Sequence, residues 1–260
     1  ATAEVAFVEL ALTERKDFDL SGRRELNVGA DGWRVAAEEL RLLTPEHQWP
    51  ETSLRSDVST DEDGRVVMMD IKASYLNLDD ADLFAPWLTD QQRQRLESVA
   101  PSGEIRDLIA TVSDVESESP RFDVAAQLDG LGMAADGDRP GVRGFSGVLR
   151  ANRRGGRIEI QSTDKIVELP EYLSNPIDIQ SADGTVIWRS SDGTTTVLSD
   201  SIRLRNDVFD SRSNVQLIIS DDASGPEIDL ASTWSINDLA EAKTYIPKKL
   251  VKPKLYNWFQ

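Results

Sequence analysis

The residue types that usually do chemistry are scarce here and poorly spaced for it. His47 is the sole histidine and there is no cysteine. In Pro45-Glu46-His47-Gln48 it reads as a loop residue, not as the base of a triad or one ligand of a metal site. Asp61-Glu62-Asp63-Gly64 has the acidic density of a calcium loop but neither its spacing nor its distal Glu, so it reads as a solvated hairpin turn. Asp221-Asp222 and the run from Glu116 to Glu118 read the same way. With 46 acidic residues, carboxylate pairs occur throughout, and none stands out as the pair of a glycosidase. Arg153, Arg154 and Arg157 make a small basic hairpin tip that could meet a phosphate, although a solvated turn accounts for them. The expectation is a protein that is not an enzyme, with no catalytic residue, no metal and no cofactor.

Composition points to surface and away from a thick core. Apolar residues make up 39% and the formal net charge is −17, which suits a thin β-structure and opposes binding to nucleic-acid backbones. The same charge opposes broad adhesion to anionic headgroups. No apolar run approaches the ~20 residues that cross a bilayer, and no signal peptide opens the chain. Ala1 and Trp258-Phe259-Gln260 read as cut ends of something longer.

The elements are mostly strands. Val67, Met69, Ile71, Ala73 and Tyr75 alternate with Asp70, Lys72 and Ser74, giving one apolar and one polar face. Phe122, Val124, Ala126 and Leu128 repeat the pattern, as do Ile158 with Ile160, Ile202 with Leu204, Val215 with Leu217 and Ile219, and Ile228 with Leu230. Asp31-Gly32, Asp61–Gly64, Asp183-Gly184, Asp192-Gly193 and Ser224-Gly225-Pro226 supply turns at the spacing of an antiparallel meander. Helix is predicted in two places. In the first, Asp79-Asp80 opens a short polar-apolar segment to Leu88, interrupted by Pro86, and Thr89-Asp90 then caps Gln91 to Val99, stopped by Pro101; a second helix runs from Ser235 or Asn237 to Ile246, stopped by Pro247. A short one follows near Pro253, carrying Leu255, Trp258 and Phe259. Trp87 and Trp258 fall in these helical closures, whereas Trp188 and Trp234 are packing residues of strands. Asp70-Ile-Lys-Ala-Ser-Tyr75 and Asp229-Leu-Ala-Ser-Thr-Trp234 each lead into a helical place. The match implies an internal repeat: residues 1–100 form one β unit ending in a helical segment and 101–260 a second, with Pro101-Ser102-Gly103 as the break.

The most distinctive stretch runs from Arg139 to Thr163. A Pro140-Gly141-Val142-x-Gly144-x-Ser146-Gly147 strand meets a turn at Arg154-Gly155-Gly156-Arg157, then returns through Ile158-x-Ile160. Leu169-Pro170, Asn175-Pro176-Ile177 and a hairpin closing on Gly184-Thr-Val-Ile-Trp188 follow. Phe18-Asp-Leu-Ser-Gly22, Asp31-Gly-Trp33, Gly132, Tyr245-Ile-Pro247 and Leu255-Tyr-Asn-Trp258 complete the order. This order resembles the YhdP branch of the AsmA-like proteins, relatives of TamB, over about residues 3–259.

Alternation alone leaves two outcomes, a closed sandwich with a dry core or an open sheet with a bare apolar face. The resemblance implies the second: a curled antiparallel sheet forming an open, elongated hydrophobic groove with short helical crossovers. It further implies a periplasmic segment of a phospholipid-transport protein, anchored in the inner membrane of a Gram-negative bacterium through a part absent from this chain, which helps maintain the outer-membrane permeability barrier. Its partners would be phospholipid acyl chains, with no nucleic acid. Exposing chains costs ~0.8 kcal/mol per CH₂, roughly 12 kcal/mol for sixteen carbons, and an apolar floor removes most of that. The candidate groove residues are Val67, Met69, Ile71, Tyr75, Phe122, Val124, Leu128, Ile158, Ile160, Ile202, Leu204, Val215, Leu217, Ile219, Ile228 and Leu230. A scaffolding module with a closed core is the principal alternative. An acidic carbohydrate-binding module is a third, disfavoured because the alternation is aliphatic and not aromatic. Open sheet edges also invite edge-to-edge self-association.

Overall fold

The computed structural model describes residues 19–83, 88–115, 117, 119–136, 141–168, 170, 173, 175–220, 225 and 227–245. The loosely alternating start of the chain, Trp87, Glu116, Glu118, Arg139-Pro140, Asp221-Asp222 and the closing segment with Leu255, Trp258 and Phe259 lie outside the described residues. Twelve strands are described: β1 (Asp19–Gly29), β2 (Gly32–Leu43), β3 (Thr52–Thr60), β4 (Val66–Asn77), β5 (Ser102–Ser113), β6 (Arg121–Met133), β7 (Gly141–Asn152), β8 (Gly155–Glu168), β9 (Ile177–Ser191), β10 (Thr194–Arg205), β11 (Phe209–Ser220) and β12 (Glu227–Ile236). They form one antiparallel sheet in which every strand lies beside its neighbours in sequence. The sheet is open, with β1 and β12 as its edges.

Among the described residues, helix occurs in the expected places. The first helix, α1 (Asp90–Val99), links β4 to β5. The second is shorter than the periodicity predicts. Ser235 and Ile236 remain in β12, and α2 (Leu239–Ala242) passes directly into a 3₁₀ turn at Lys243–Tyr245. Asp238 caps it, its carboxylate accepting from the amides of Ala240 at 2.8 Å and Glu241 at 3.0 Å, so the strand has to end first.

The chain forms two compact units that interleave along the sequence. One comprises residues 1–76, 105–127 and 150–153; the other comprises 77–104, 128–149 and 154–260. In the first unit, Leu40, Leu42, Trp49, Val58, Ala73 and Tyr75 are buried. Trp49 meets Tyr75 edge-on at 5.4 Å and is held by its amide donating to the Leu42 carbonyl at 2.8 Å. In the second, Ile160, Ile179, Ala182, Val208 and Phe209 form the core, with Phe145, Leu204 and Tyr245 packed against it.

The two ends of the chain share a pairing scheme. In β3/β4, Leu54 faces Ala73 and Val58 faces Met69. In β11/β12, Ser213 faces Ser232 and Leu217 faces Ile228, the same register 159 positions on. The β1/β2 pair recurs in β9/β10 at an offset of 162: Leu26 faces Val35 as Trp188 faces Val197, and Leu20 faces Leu42 as Ala182 faces Leu204. A bulge in β2 lies against Gly22 (φ +150°) and a bulge in β10 lies against Gly184 (φ +155°). Thr52 and Ser211, the two most completely buried side chains, are counterparts. So are the ion pairs Arg41–Glu51 and Arg203–Asp210, at 3.1 and 2.5 Å.

Three turn assignments change. The β1–β2 turn is Ala30-Asp31, and Gly32 opens β2 at φ +144°, where a Cβ would lie 2.0 Å from the Val58 carbonyl oxygen. Asp183-Gly184 is no turn; it lies within β9, where a Cβ on Gly184 would come within 2.6 Å of the Ser201 carbonyl oxygen. The glycine is required by the approach of the bulged β10. Likewise the β7–β8 turn is Arg153-Arg154, and Gly155 opens β8 at φ +148°. Any side chain there would collide with the Trp188 carbonyl of β9. Asp192-Gly193 does form the β9–β10 turn, with φ of 49° and 73°, the paired positive values of a type I′ hairpin. Gly155→Val should destabilise the protein by about 2 kcal/mol or more, measured by denaturant unfolding, whereas Gly64→Val, in a turn with nothing within 4 Å, should cost clearly less.

Candidate functional site

With no catalytic cluster in view, the candidate site is a surface, and strand register defines it. Residues directly opposite one another in an antiparallel pair share a face. In the first unit this rule joins Leu26 and Val28 to Val35 and Trp33, then Trp33 to Val58, Val58 to Met69 and Leu54 to Ala73. Val67, Met69, Ile71 and Tyr75 thus stand on one face of β4. Phe122, Val124 and Leu128 occupy alternate positions of β6, where Asp123, Gln127 and Asp129 fall between them.

In the second unit the rule is more productive. Ile158 faces Val186, Trp188 faces Val197, Val197 faces Leu217 and Leu217 faces Ile228. Ala182 faces Leu204, and Val215 faces Leu230. Ile158, Ile160, Ile202, Leu204, Val215, Leu217, Ile219, Ile228 and Leu230 therefore share one apolar face across β8 to β12.

How far that face is hidden varies along the strands. Where β9 begins and β10 ends it is most deeply covered: Ile179 and Ala182 are each 2% exposed, and Phe209 packs on Trp234 at 5.0 Å and on Tyr245 at 5.6 Å. The amides of Asn237 and Asp238 donate to the Val208 carbonyl at 2.8 and 3.3 Å, which holds α2 over this end. Toward the other end Ile158, Val186, Val197 and Leu217 are only half-buried, and Ile219, Ile228 and Leu230 are 46, 65 and 60% exposed. The first unit shows the same trend, from buried Leu42, Trp49 and Tyr75 to exposed Val28, Trp33 and Val67.

The opposite face is mainly polar and internally paired, although Ile187 and Leu198 stand exposed on it. Asp57 accepts from Arg34 and from Arg55, and these hydrogen bonds, Arg55's foremost, hold its carboxyl below the usual carboxylate range. Thr111 donates to Asp70 at 2.5 Å. Of the basic tip, Arg157 pairs with Glu159 at 3.0 Å and Arg153 donates to the Ser119 carbonyl at 3.1 Å. The acidic turn spends its carboxylate on itself: Asp61 accepts from the amides of Asp63 and Arg65, both at 2.9 Å. His47 lies in the loop between β2 and β3, its amide donating to the Thr44 hydroxyl at 2.9 Å. Among the described residues no group of three or more His, Cys, Asp or Glu is placed to hold a metal.

A family model described as YhdP protein matches residues 9–260. The chain belongs to the YhdP family. The match spans both units, and the open, mainly β sheet agrees with the architecture that the resemblance to YhdP implied. Comparison with curated proteins and with solved structures returns no match. None of the helices among the described residues is long and apolar enough to cross a membrane.

Alternation missed the polar residues inserted into the apolar face. Ser162, Ser199 and Ser211 are buried there at alternating positions, and Lys165 is buried out of alternation, after the left-handed Asp164. Asp210 offers a test of the polar side, because hydrogen bonds from Arg203 lower its pKa. A carboxyl with a depressed folded pKa stabilises above its unfolded pKa and loses that contribution as pH falls through the folded value. Asp210→Asn should therefore be less stable than wild type at neutral pH, and the gap should close below about pH 3–4 in urea titrations at each pH.

Proposed function

We propose that this chain is a segment of a phospholipid conduit of the Gram-negative envelope, in which acyl chains travel on the apolar sheet face while the polar face meets the water of the periplasm. The observation that carries this reading is the half-covered apolar face of β8 to β12. A monomeric soluble protein rarely leaves a contiguous apolar surface of this kind uncovered. Lipid tails are a fitting occupant because the lining is mainly aliphatic and continuous from strand to strand. Membership in the YhdP family supports the same reading, and anchorage in the inner membrane would belong to another part of the parent protein.

A purely structural role would call for a second layer against that face. The described strands form one sheet, and among the described residues of the second unit the helical cover on this face is the short α2 segment with Tyr245 at one end. The direct test is photo-crosslinking in cells carrying the parent protein. Probes at Met69, Leu217 and Leu230 should capture phospholipid, and probes at Arg55 and Gln216 on the polar face should not. Lipid captured equally from both faces, or from neither, would remove the basis for the proposal.

A further inference from the structure

The most unusual group in the second unit is Lys165. It is 7% exposed, stands opposite Ile179 in β9, and adjoins the apolar core. At this level the alternation of burial slips by one in two strands together, from Ser162 to Lys165 in β8 and from Ala182 to Ile179 in β9. The cause lies in the backbone. Asp164 takes a left-handed φ of 59°, and Gly144 beside it in β7 takes 84°. A regular strand would have turned Asp164 inward and Lys165 to water; the irregularity exchanges them. Gly144 also makes room, since a Cβ there would lie 3.1 Å from the lysine Cδ and 3.3 Å from its Nζ.

An ammonium has three donors, and the bond that Lys165 makes among the described residues is to the Thr163 carbonyl. The nearby carboxylates do not serve it: Asp164 is exposed and Glu168 is engaged by Arg143 at 2.5 Å. Buried charges are normally paired. In a protein of net charge −17, a buried cation with no carboxylate partner among the described residues is a local exception to a field that repels anions. Between Lys165 and Ile158 run seven residues of strand, roughly 23 Å at ~3.3 Å each, more than the ~15 Å that the chains of one leaflet occupy.

We propose that Lys165 is a headgroup site: its ammonium receives the phosphodiester of an anionic phospholipid whose acyl chains lie along the apolar face of β8 to β12. The site rests on the lipid reading above and adds a preference to it. An anionic lipid such as phosphatidylglycerol gains the full charge-assisted bond. Phosphatidylethanolamine brings its own ammonium to the phosphate and gains less.

The test uses the full chain, loaded from an equimolar detergent-dispersed mixture of phosphatidylglycerol and phosphatidylethanolamine and read by native mass spectrometry. Wild type should retain phosphatidylglycerol about tenfold over phosphatidylethanolamine, the worth of one charge-assisted hydrogen bond. Lys165→Met, nearly isosteric and checked for folding by circular dichroism, should retain similar total lipid with no preference, and Lys165→Arg should keep the preference. Lipid bound by wild type without selectivity, or selectivity surviving in Lys165→Met, would overturn the site and leave the conduit standing. No lipid bound by any variant would count against the conduit itself and so overturn both. Inorganic phosphate raising the melting temperature of wild type but not of Lys165→Met, with no lipid selectivity, would assign the ammonium to a free anion and overturn the headgroup site.

Discussion

The structure turns on one imbalance: its strands make a water-averse face, and the described residues cover only part of it. A two-faced antiparallel sheet normally hides its apolar side against a second sheet or a layer of helices. Here the strands join a single sheet in sequence order, and the described helices are α1, α2 with its 3₁₀ extension, and a 3₁₀ turn at 81–83. Burial reaches core values where a short element folds back, at Trp49 in the first unit and at α2 with Tyr245 in the second, and at single positions such as Val58 and Ala126. Elsewhere the apolar side chains are left half in water. The polar face has no such problem, because Arg34, Asp57, Arg55, Thr111 and Asp70 satisfy one another there.

The shared registers of β1–β4 and β9–β12 show how a chain of this composition keeps such a face consistent. A slip of one residue would send every apolar side chain to the wrong side. The hairpins are pinned by glycines at matching bulges, Gly22 and Gly184, and by buried hydroxyls at matching strand starts, Thr52 and Ser211. Where β2/β3 and β10/β11 differ in register they do so by two residues, which preserves the face. The bulges sit where one strand passes close to the next, and only glycine tolerates both the φ and the contact.

Much of this was legible in the residues. Alternation in Val67 to Tyr75, in Ile158 with Ile160 and in Val215 to Ile219 reports the pleat directly, so the shared face could be written from sequence. The family order around Gly144, Ser146 and Gly155 indicated an open sheet where alternation alone was silent. What could not be read was set by contacts across strands. Asp183-Gly184 has the composition of a turn, yet its glycine answers a bulge in β10. Gly155 serves the Trp188 carbonyl and not the turn beside it. Lys165 sits among alternating residues as an outward charge would, and only the left-handed Asp164 brings it inside. The second helix was drawn too long because Ser235 and Ile236 suit helix or strand, and pairing with Asp210 and Phe209 decided for strand.

The most direct measurement is calorimetric titration of the full chain with monomeric short-chain phosphatidylglycerols of increasing acyl length, at several temperatures. Burial of apolar surface on binding leaves a negative heat-capacity change. If the apolar face takes lipid tails, that change should grow with each added CH₂ and disappear when Leu217 and Leu230 are replaced by Asp. Binding whose heat capacity ignores chain length, or no binding at all, would contradict the account.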